Sequence, residues 1–153
     1  MKKYPTPRTA AEALLMRLKL HGVDYLFANA GTDFASIIEG YVRGSEEEMP
    51  FPKPLVVPHE TAVVAMAHGY YLTTGKPQAA MVHVNVGLAN SLCGILNAAS
   101  DNIPLFMMSG RTPLTEDNHL GSRNTPIHWG QEMRDQGSIA VSYTHLTLPT
   151  ILL

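Results

Sequence analysis

Glu60 stands where an apolar segment, Leu55 to Pro58, meets a run of small and apolar residues that predicts a helix. A carboxylate in the first turn of a helix is stabilised by the partial positive charge of the helix N-terminus. Because the residues after Glu60 are too apolar for a solvated face, the acid is expected to meet a buried group. A glutamate in a dry site can give or take a proton, whereas an ordinary first-turn glutamate only complements the helix dipole. The local sequence leaves both interpretations open.

The chain alternates apolar strands with segments of helical length. Strands are predicted at 23–28, 55–57, 78–84 and 105–108. Helices are predicted from the capping box at Thr9 to Gly22, over 34–41, after Glu60, and up to Ser100 behind a turn at 85–91. Strands without polar alternation, joined by crossovers, predict an α/β fold: a doubly wound parallel sheet with helices on both faces. Ligands of such sheets bind at the carboxyl ends of the strands, where Glu60, Thr32 and Asn85 fall.

The composition limits the class of ligand. The chain has 153 residues, 45% of them hydrophobic, which suits one domain with a real core. No apolar run is long enough to cross a bilayer and no signal-peptide core follows the N-terminus, so cytoplasmic residence without a membrane partner is predicted. The net charge of -2 gives no basic footprint for nucleic acid, and no cluster suggests a metal site. The single cysteine, Cys93, is expected to be a buried thiol. The predicted ligand is a small molecule.

Four segments, in order, resemble the N-terminal, pyrimidine-binding domain of thiamine diphosphate enzymes, the family of acetolactate synthase and benzoylformate decarboxylase. His21-Gly-Val-Asp-Tyr-Leu-Phe-Ala-Asn-Ala-Gly31 resembles the family's G-V-x-x-V-F-G-x-P-G opening. The family's H-E…A-D-G-Y-A-x-x-T-G-K run is matched by Pro58-His-Glu60, Ala67-His-Gly-Tyr70 and Thr74-Gly-Lys76. Its G-x-x-N motif is matched by Gly87-Leu-Ala-Asn90, and its A-x-x-D-x-x-P-L motif by residues 97–105. The resemblance covers about Thr9 to Ile139, with Ala28 and Ala30 replacing the usual glycine and proline.

The resemblance implies roles for particular residues. Glu60 would hydrogen-bond the aminopyrimidine ring of thiamine diphosphate and promote the form that removes the proton from the thiazolium C2. His83 takes the place of an active-site histidine, so Glu60 and His83 are the predicted catalytic residues. A satisfied core histidine is the alternative for His83. Glu60, Gly31, Gly87 and Asn90 are the predicted cofactor-binding residues.

Three further residues are candidates for the substrate side of the site. Thr32 takes the place of a loop serine and, with His83, could bind a carboxylate, although its hydroxyl could instead cap the following helix. His119 and Gln131 lie in the segment where decarboxylases carry loop histidines, as does His128; an ordinary surface loop is the alternative there.

The family's diphosphate-binding motif, G-D-G with a downstream asparagine pair that holds magnesium, does not occur in the sequence. The expected organisation is therefore a truncated pyrimidine-binding domain over 1–139 and a tail over 140–153 that is non-native or a truncated linker. The chain is expected to be inactive alone. Its full-length parent would be a homodimer or tetramer that decarboxylates or carboligates a 2-keto acid, with magnesium held by the missing domain. The alternatives are an oxalyl-CoA decarboxylase-like lyase fragment and a non-catalytic flavodoxin-like module, for which no glycine-rich phosphate loop is present.

Overall fold

The computed structural model describes residues 4–124 and 130–143. Within these residues, four helices and four strands alternate. The helices are α1 Ala10–Leu20, α2 Ala35–Glu46, α3 Glu60–Thr74 and α4 Val84–Ser100, and the strands are β1 Tyr25–Asn29, β2 Lys53–Val56, β3 Gln78–Val82 and β4 Leu105–Ser109. Short 3-10 turns cover Thr32–Phe34, Gln136–Ile139 and Val141–Tyr143. The capping box predicted at the first helix forms, because Thr9 Oγ1 accepts the backbone N–H of Glu12 at 3.2 Å.

The four strands form one parallel sheet in the order β2-β1-β3-β4. The chain moves from β1 outward to β2 and then returns to the other side of β1 to place β3. The strand order therefore reverses between β1 and β3. The loops after these two strands diverge at this switch point, which is where open α/β sheets place their ligands.

Alternate side chains of each central strand enter two separate cores. One core joins Leu26, Ala28, Ala79 and Met81 to side chains of α1 and α2. The other joins Phe27, Ala80 and Val82 to α3 and α4, through residues such as Val63 and Leu88. Both faces of the sheet are thus covered by helices, and the predicted fold class is confirmed.

The second helix and the connector behind it differ from the prediction. The helix expected over 34–41 begins with a 3-10 turn and continues to Glu46. The composition of segment 44–54, which is charged and rich in proline, predicts an exposed excursion. The segment is packed instead, because Met49 is buried and the Phe51 ring fills the space beside Gly44, where any Cβ would overlap it. The hydroxyl of the partly buried Tyr41 donates to Pro52 O at 3.0 Å. Tertiary packing orders this connector, and the charged composition of the segment does not indicate that packing.

The turn expected at 85–91 is also wrong, because α4 begins at Val84. Gly87 and Asn90, which resemble turn residues in the sequence, lie inside its first turns, and the side chain of Asn85 accepts the N–H of Val86 at 2.8 Å. Cys93 is exposed on the outer side of α4, so the buried thiol that was expected is wrong as well. None of the helices within 4–124 and 130–143 is long and apolar enough to span a membrane.

Candidate active site

Glu60 occupies the first turn of α3, directly behind the carboxyl end of β2. Asn29 Nδ2, at the end of β1, donates to Val57 O at 2.9 Å and so fixes the segment that leads to the acid. The side chain of His59 caps the helix by accepting the N–H of Thr61 at 3.2 Å. Since that bond uses the lone pair of His59 Nδ1, the imidazole nitrogen 3.9 Å from Glu60 is not a cationic partner for it.

The Glu60 carboxylate is largely shielded from solvent but has spare acceptor capacity. Its side chain is only 12% exposed, and Oε2 accepts Asn90 Nδ2 of α4 at 3.2 Å. No lysine or arginine of the described segments forms an ion pair with it. An ionised carboxylate accepts about four hydrogen bonds, so the second oxygen is available to a ligand donor.

Gly87 lies against the sheet. A Cβ on Gly87 would stand 3.0 Å from Val82 Cβ and 3.3 Å from its carbonyl carbon. The glycine therefore lets α4 approach β3 closely, which explains the residue by packing alone. Its predicted contact with a cofactor stays a prediction.

His83 lies at the switch point, between the end of β3 and the start of α4, with both ring nitrogens in contact with side chains. Nδ1 is 2.6 Å from Asp33 Oδ1, and Nε2 is 3.2 Å from Gln131 Nε2. The side chain is 25% exposed, so it is not a core histidine sealed from the cleft. Gly31 makes room for it, because a Cβ there would overlap the imidazole ring. The structure thus brings together three of the predicted residues, Gly31, His83 and Gln131.

Asp33 was not singled out from the sequence, yet it holds this end of the sheet together. Its side chain is 4% exposed, and Oδ2 accepts the N–H of Val84 at 3.2 Å. Val84 is a buried, β-branched residue with φ of 41°, a conformation that such residues rarely adopt. Its carbonyl accepts Ser109 Oγ at 2.7 Å, so the strained residue is held from both sides.

Thr32 does not cap the following helix, since neither the 3-10 turn nor α2 has a side-chain cap. Its hydroxyl oxygen instead accepts Arg123 Nη1 at 3.1 Å. Arg123, which no motif in the sequence singles out, has no ion-pair partner among residues 4–124 and 130–143. His119 is exposed; its backbone N–H donates to Ser122 Oγ, and within the described chain its side chain makes no hydrogen bond to Thr32 or His83. His128 lies outside the described residues.

Two groups of polar residues therefore share the carboxyl edge of the sheet. Glu60 and Asn90 form one, and Asp33, His83 and Gln131 form the other, with Thr32 and Arg123 beside it. The N-terminus of α4 carries His83 and its second turn carries Asn90, so the groups are roughly 10 Å apart along the helix at 1.5 Å per residue. Within the described segments no three side chains of the metal-ligating types are grouped to hold an ion. The arrangement can bind and orient an organic ligand and exchange protons with it.

Known proteins resemble this chain in sequence and fold. It is 33% identical over 104 residues to the acetolactate synthase large subunit of Haemophilus influenzae, covering 67% of this chain and 17% of that protein. It is 27% identical over 121 residues to acetolactate synthase 2, chloroplastic, of Brassica napus, covering 79% and 18%. The chain thus spans less than a fifth of the length of these curated relatives.

Solved structures share the fold. The thiamine diphosphate-dependent 4-hydroxybenzoylformate decarboxylase of Rhodococcus jostii RHA1 matches with a TM-score of 0.59 and 22% identity, over 76% of this chain and 21% of that one. Benzoylformate decarboxylase from Polynucleobacter necessarius matches with a TM-score of 0.58 and 19% identity, over 74% and 20%. The family model described as "Thiamine pyrophosphate enzyme, N-terminal TPP binding domain" matches residues 8–139. The chain therefore belongs to the thiamine pyrophosphate enzymes, whose N-terminal cofactor-binding domain it carries.

Proposed function

We propose that this chain is the pyrimidine-binding part of a thiamine diphosphate-dependent enzyme that decarboxylates or carboligates a 2-keto acid. The observation that carries the proposal is the shielded carboxylate of Glu60 at the carboxyl edge of the sheet, which has no lysine or arginine partner in the described chain. Family membership supplies its context. It also leaves the flavodoxin-like module without support.

The residues present fit the pyrimidine half of the cofactor. A ring that carries an amino group and basic nitrogens needs an acceptor that can also exchange a proton, and Glu60 has an oxygen available for it. The cofactor, when bound, supplies the nucleophilic carbon and the electron sink for chemistry beside a keto group. The pair formed with Asn90 holds the carboxylate in one orientation.

On the substrate side, the geometry supports a carboxylate site at Thr32 and Arg123. A guanidinium without an acidic partner in the described chain presents several donors to an anion, and the Thr32 hydroxyl fixes its position. His83 stands beside this pair through the loop after β1, with its Nε2 turned toward Gln131. In a 2-keto acid the carboxylate carbon and the keto carbon are bonded to each other. The two functional groups therefore suit two neighbouring polar sites, Thr32 with Arg123 and the adjacent His83.

The chain lacks the G-D-G motif, so magnesium and the diphosphate group would be held by another part of the parent protein. We expect the parent to be a homodimer or tetramer in the cytoplasm and this chain to be inactive by itself. Exposed apolar side chains on α3 and α4, among them Met66, Leu72, Val86 and Leu96, support burial of this face against a partner.

The test begins with the genomic DNA downstream of codon 139, which should continue in frame and encode G-D-G. The complete protein is then expressed and assayed with thiamine diphosphate and Mg²⁺ on pyruvate, benzoylformate and oxalyl-CoA. Cofactor-dependent turnover of a 2-keto acid is expected. Turnover of oxalyl-CoA alone would favour the lyase alternative, and a complete protein that does not bind thiamine diphosphate in calorimetry would overturn the proposal.

A further inference from the structure

Asp33 carries a buried carboxylate to which neither the resemblance nor the proposed function gives a role. It contacts no lysine or arginine among the described residues; its partners are His83 Nδ1 at 2.6 Å and the N–H of Val84 at 3.2 Å. A carboxylate buried to this degree costs free energy unless its oxygens accept hydrogen bonds. Each oxygen of Asp33 has one such donor, so the side chain has a single well-defined orientation.

Two glycines keep space for this pair. Gly31 has no side chain where the His83 ring lies, and Gly110 has none where the Asp33 carboxylate lies. The backbone of Gly31 is extended, so conformational freedom does not explain the glycine, and steric room does. Loops from β1 and β4 are thus shaped around the contact between one carboxylate and one imidazole.

The partners of His83 determine which of its nitrogens carries a proton. An ionised carboxylate only accepts hydrogen bonds, so Nδ1 must donate to Asp33 Oδ1. The amide nitrogen of Gln131 only donates, so the Nε2 that faces it must be the acceptor. The network is therefore consistent with a neutral imidazole protonated at Nδ1, with the lone pair of Nε2 directed to the Gln131 side.

We infer that Asp33 is a positioning residue that holds His83 in the Nδ1-protonated tautomer and so makes its Nε2 a proton acceptor at the site. Asp33 acts through His83 and does not touch the ligand. Its catalytic consequence rests on the proposed function, whereas the tautomer is a property of this chain alone. An imidazole fixed by a second group on its other nitrogen is the arrangement by which proteins commonly set the role of a histidine.

Replacement of Asp33 by asparagine should reverse the tautomer. The N–H of Val84 requires an acceptor, which directs the oxygen of the introduced amide toward Val84. The amide NH₂ then faces His83 Nδ1 and can only donate to it. His83 must move its proton to Nε2, and Gln131 must turn its oxygen toward that nitrogen.

The experiment is ¹⁵N NMR of the 153-residue chain labelled with [¹⁵N]histidine, at about pH 8, where an ordinary imidazole is neutral. His83→Gln identifies the His83 signals among the seven histidines. Two-bond couplings from the ring protons show which nitrogen is protonated. The variants are Asp33→Asn and, as a matched control, Asp117→Asn, in which an exposed carboxylate of the same type is neutralised.

The unsubstituted chain and Asp117→Asn should show His83 protonated at Nδ1, and Asp33→Asn should show it protonated at Nε2. The inference would be overturned if His83 were protonated at Nε2 in the unsubstituted chain, or if the unsubstituted chain and a folded Asp33→Asn had the same tautomer. Even if Asp33→Asn does not fold, the spectrum of the unsubstituted chain tests the tautomer that the inference requires. Because no cofactor or substrate is present, failure here is distinct from failure of the proposed enzymatic function.

Discussion

Asn90 Nδ2 donates to Glu60 Oε2 at 3.2 Å, and this bond joins the first turn of α3 to the second turn of α4. The two helices pack side by side on one face of the sheet, and the bond fixes the acid relative to α4, whose N-cap residue is His83. Glu60 is thereby placed in a defined geometry with respect to the group formed by Asp33, His83 and Gln131.

Glu60→Gln should remove most turnover from the complete enzyme without unfolding it. The amide oxygen of glutamine can still accept Asn90 Nδ2, but an amide cannot exchange the proton that the proposed mechanism needs. Loss of a general acid-base group commonly costs about a hundredfold to ten-thousandfold in rate. Steady-state kinetics at saturating thiamine diphosphate, beside thermal melts, measure both quantities.

The matched control is Glu39→Gln, which neutralises an exposed glutamate of α2. It should leave kcat unchanged. If the kcat of Glu60→Gln stays within a few-fold of that of the unsubstituted complete enzyme, Glu60 only complements the helix dipole.

Arg123→Gln should raise KM for a 2-keto acid in the complete enzyme by about tenfold or more while changing kcat less. The guanidinium on Thr32 would bind the substrate carboxylate equally in the ground and transition states, and loss of uniform binding appears in KM. Arg17→Gln, at an exposed arginine of α1, is the control. An unchanged KM for Arg123→Gln would remove Arg123 from the site.

Replacing either of two helix glycines with alanine should change the free energy of unfolding, and the two changes should have opposite signs. A Cβ on Gly94 of α4 would lie 2.8 Å from Cβ and Cγ1 of Val64, which is fully buried and stiff, so overpacking should lower the free energy of unfolding by about 1–3 kcal/mol. A Cβ on Gly69 of α3 would meet nothing within 4 Å, so the higher helix propensity of alanine should raise the free energy of unfolding by up to about 1 kcal/mol. Urea unfolding of this chain measures both. Changes of the same sign would contradict the packing described for α3 and α4.

Acid should weaken the domain through Asp24. The hydrogen bond that its carboxylate accepts from Lys19 Nζ at 2.8 Å, followed by those from Lys76 and Tyr70, lowers the pKa of Asp24 to about 2. A carboxylate whose folded pKa lies below its unfolded value of 3.8 stabilises the fold above about pH 4, and that contribution is lost as the pH falls toward 2. Because the side chain and its lysine partners are partly exposed, the effect should be on the order of 1 kcal/mol.

Unfolding free energies of the parent and Asp24→Asn between about pH 2 and pH 6 test this linkage. The variant should be less stable near neutral pH and should lose less stability on acidification. Equal slopes for the two proteins would show that Asp24 does not carry the dependence.

The outer face of α3 and α4 should mediate self-association. Leu72 and Leu96 are exposed there, and Cys93 lies one turn before Leu96. Sedimentation velocity should show larger species as concentration rises, with slower maleimide labelling of Cys93. Leu96→Glu should weaken both effects, whereas Leu20→Glu, at an exposed leucine that ends α1, should not. A monomer at every concentration would count against this surface as an interface.

The sequence by itself determined the fold class, the family and the position of Glu60. The fold class and the position of Glu60 depend on short windows: strand and helix periodicity, the capping box at Thr9, and the junction of an apolar strand with an apolar helix. The family is indicated by the order of short motifs, such as Pro58-His-Glu60 and Gly87-Leu-Ala-Asn90, that resemble those of its members. Such signals are local, and local backbone preferences survive in the folded chain. The start of α4 was misplaced because Gly87 and Asn90 resemble turn residues, whereas close packing on Val82 makes the glycine favourable within the helix.

Only the tertiary structure decided which polar side chains meet. Asp33 and His83 are 50 residues apart in sequence, and Thr32 and Arg123 are 91 apart. Neither separation has a periodicity that a single sequence reveals. The pairs form because parallel strands carry their carboxyl ends to one edge of the sheet, where Gly31 and Gly110 leave the space that an imidazole and a carboxylate fill. Side-chain partnership at this edge is a consequence of packing in three dimensions, and the sequence specifies it only through the whole fold.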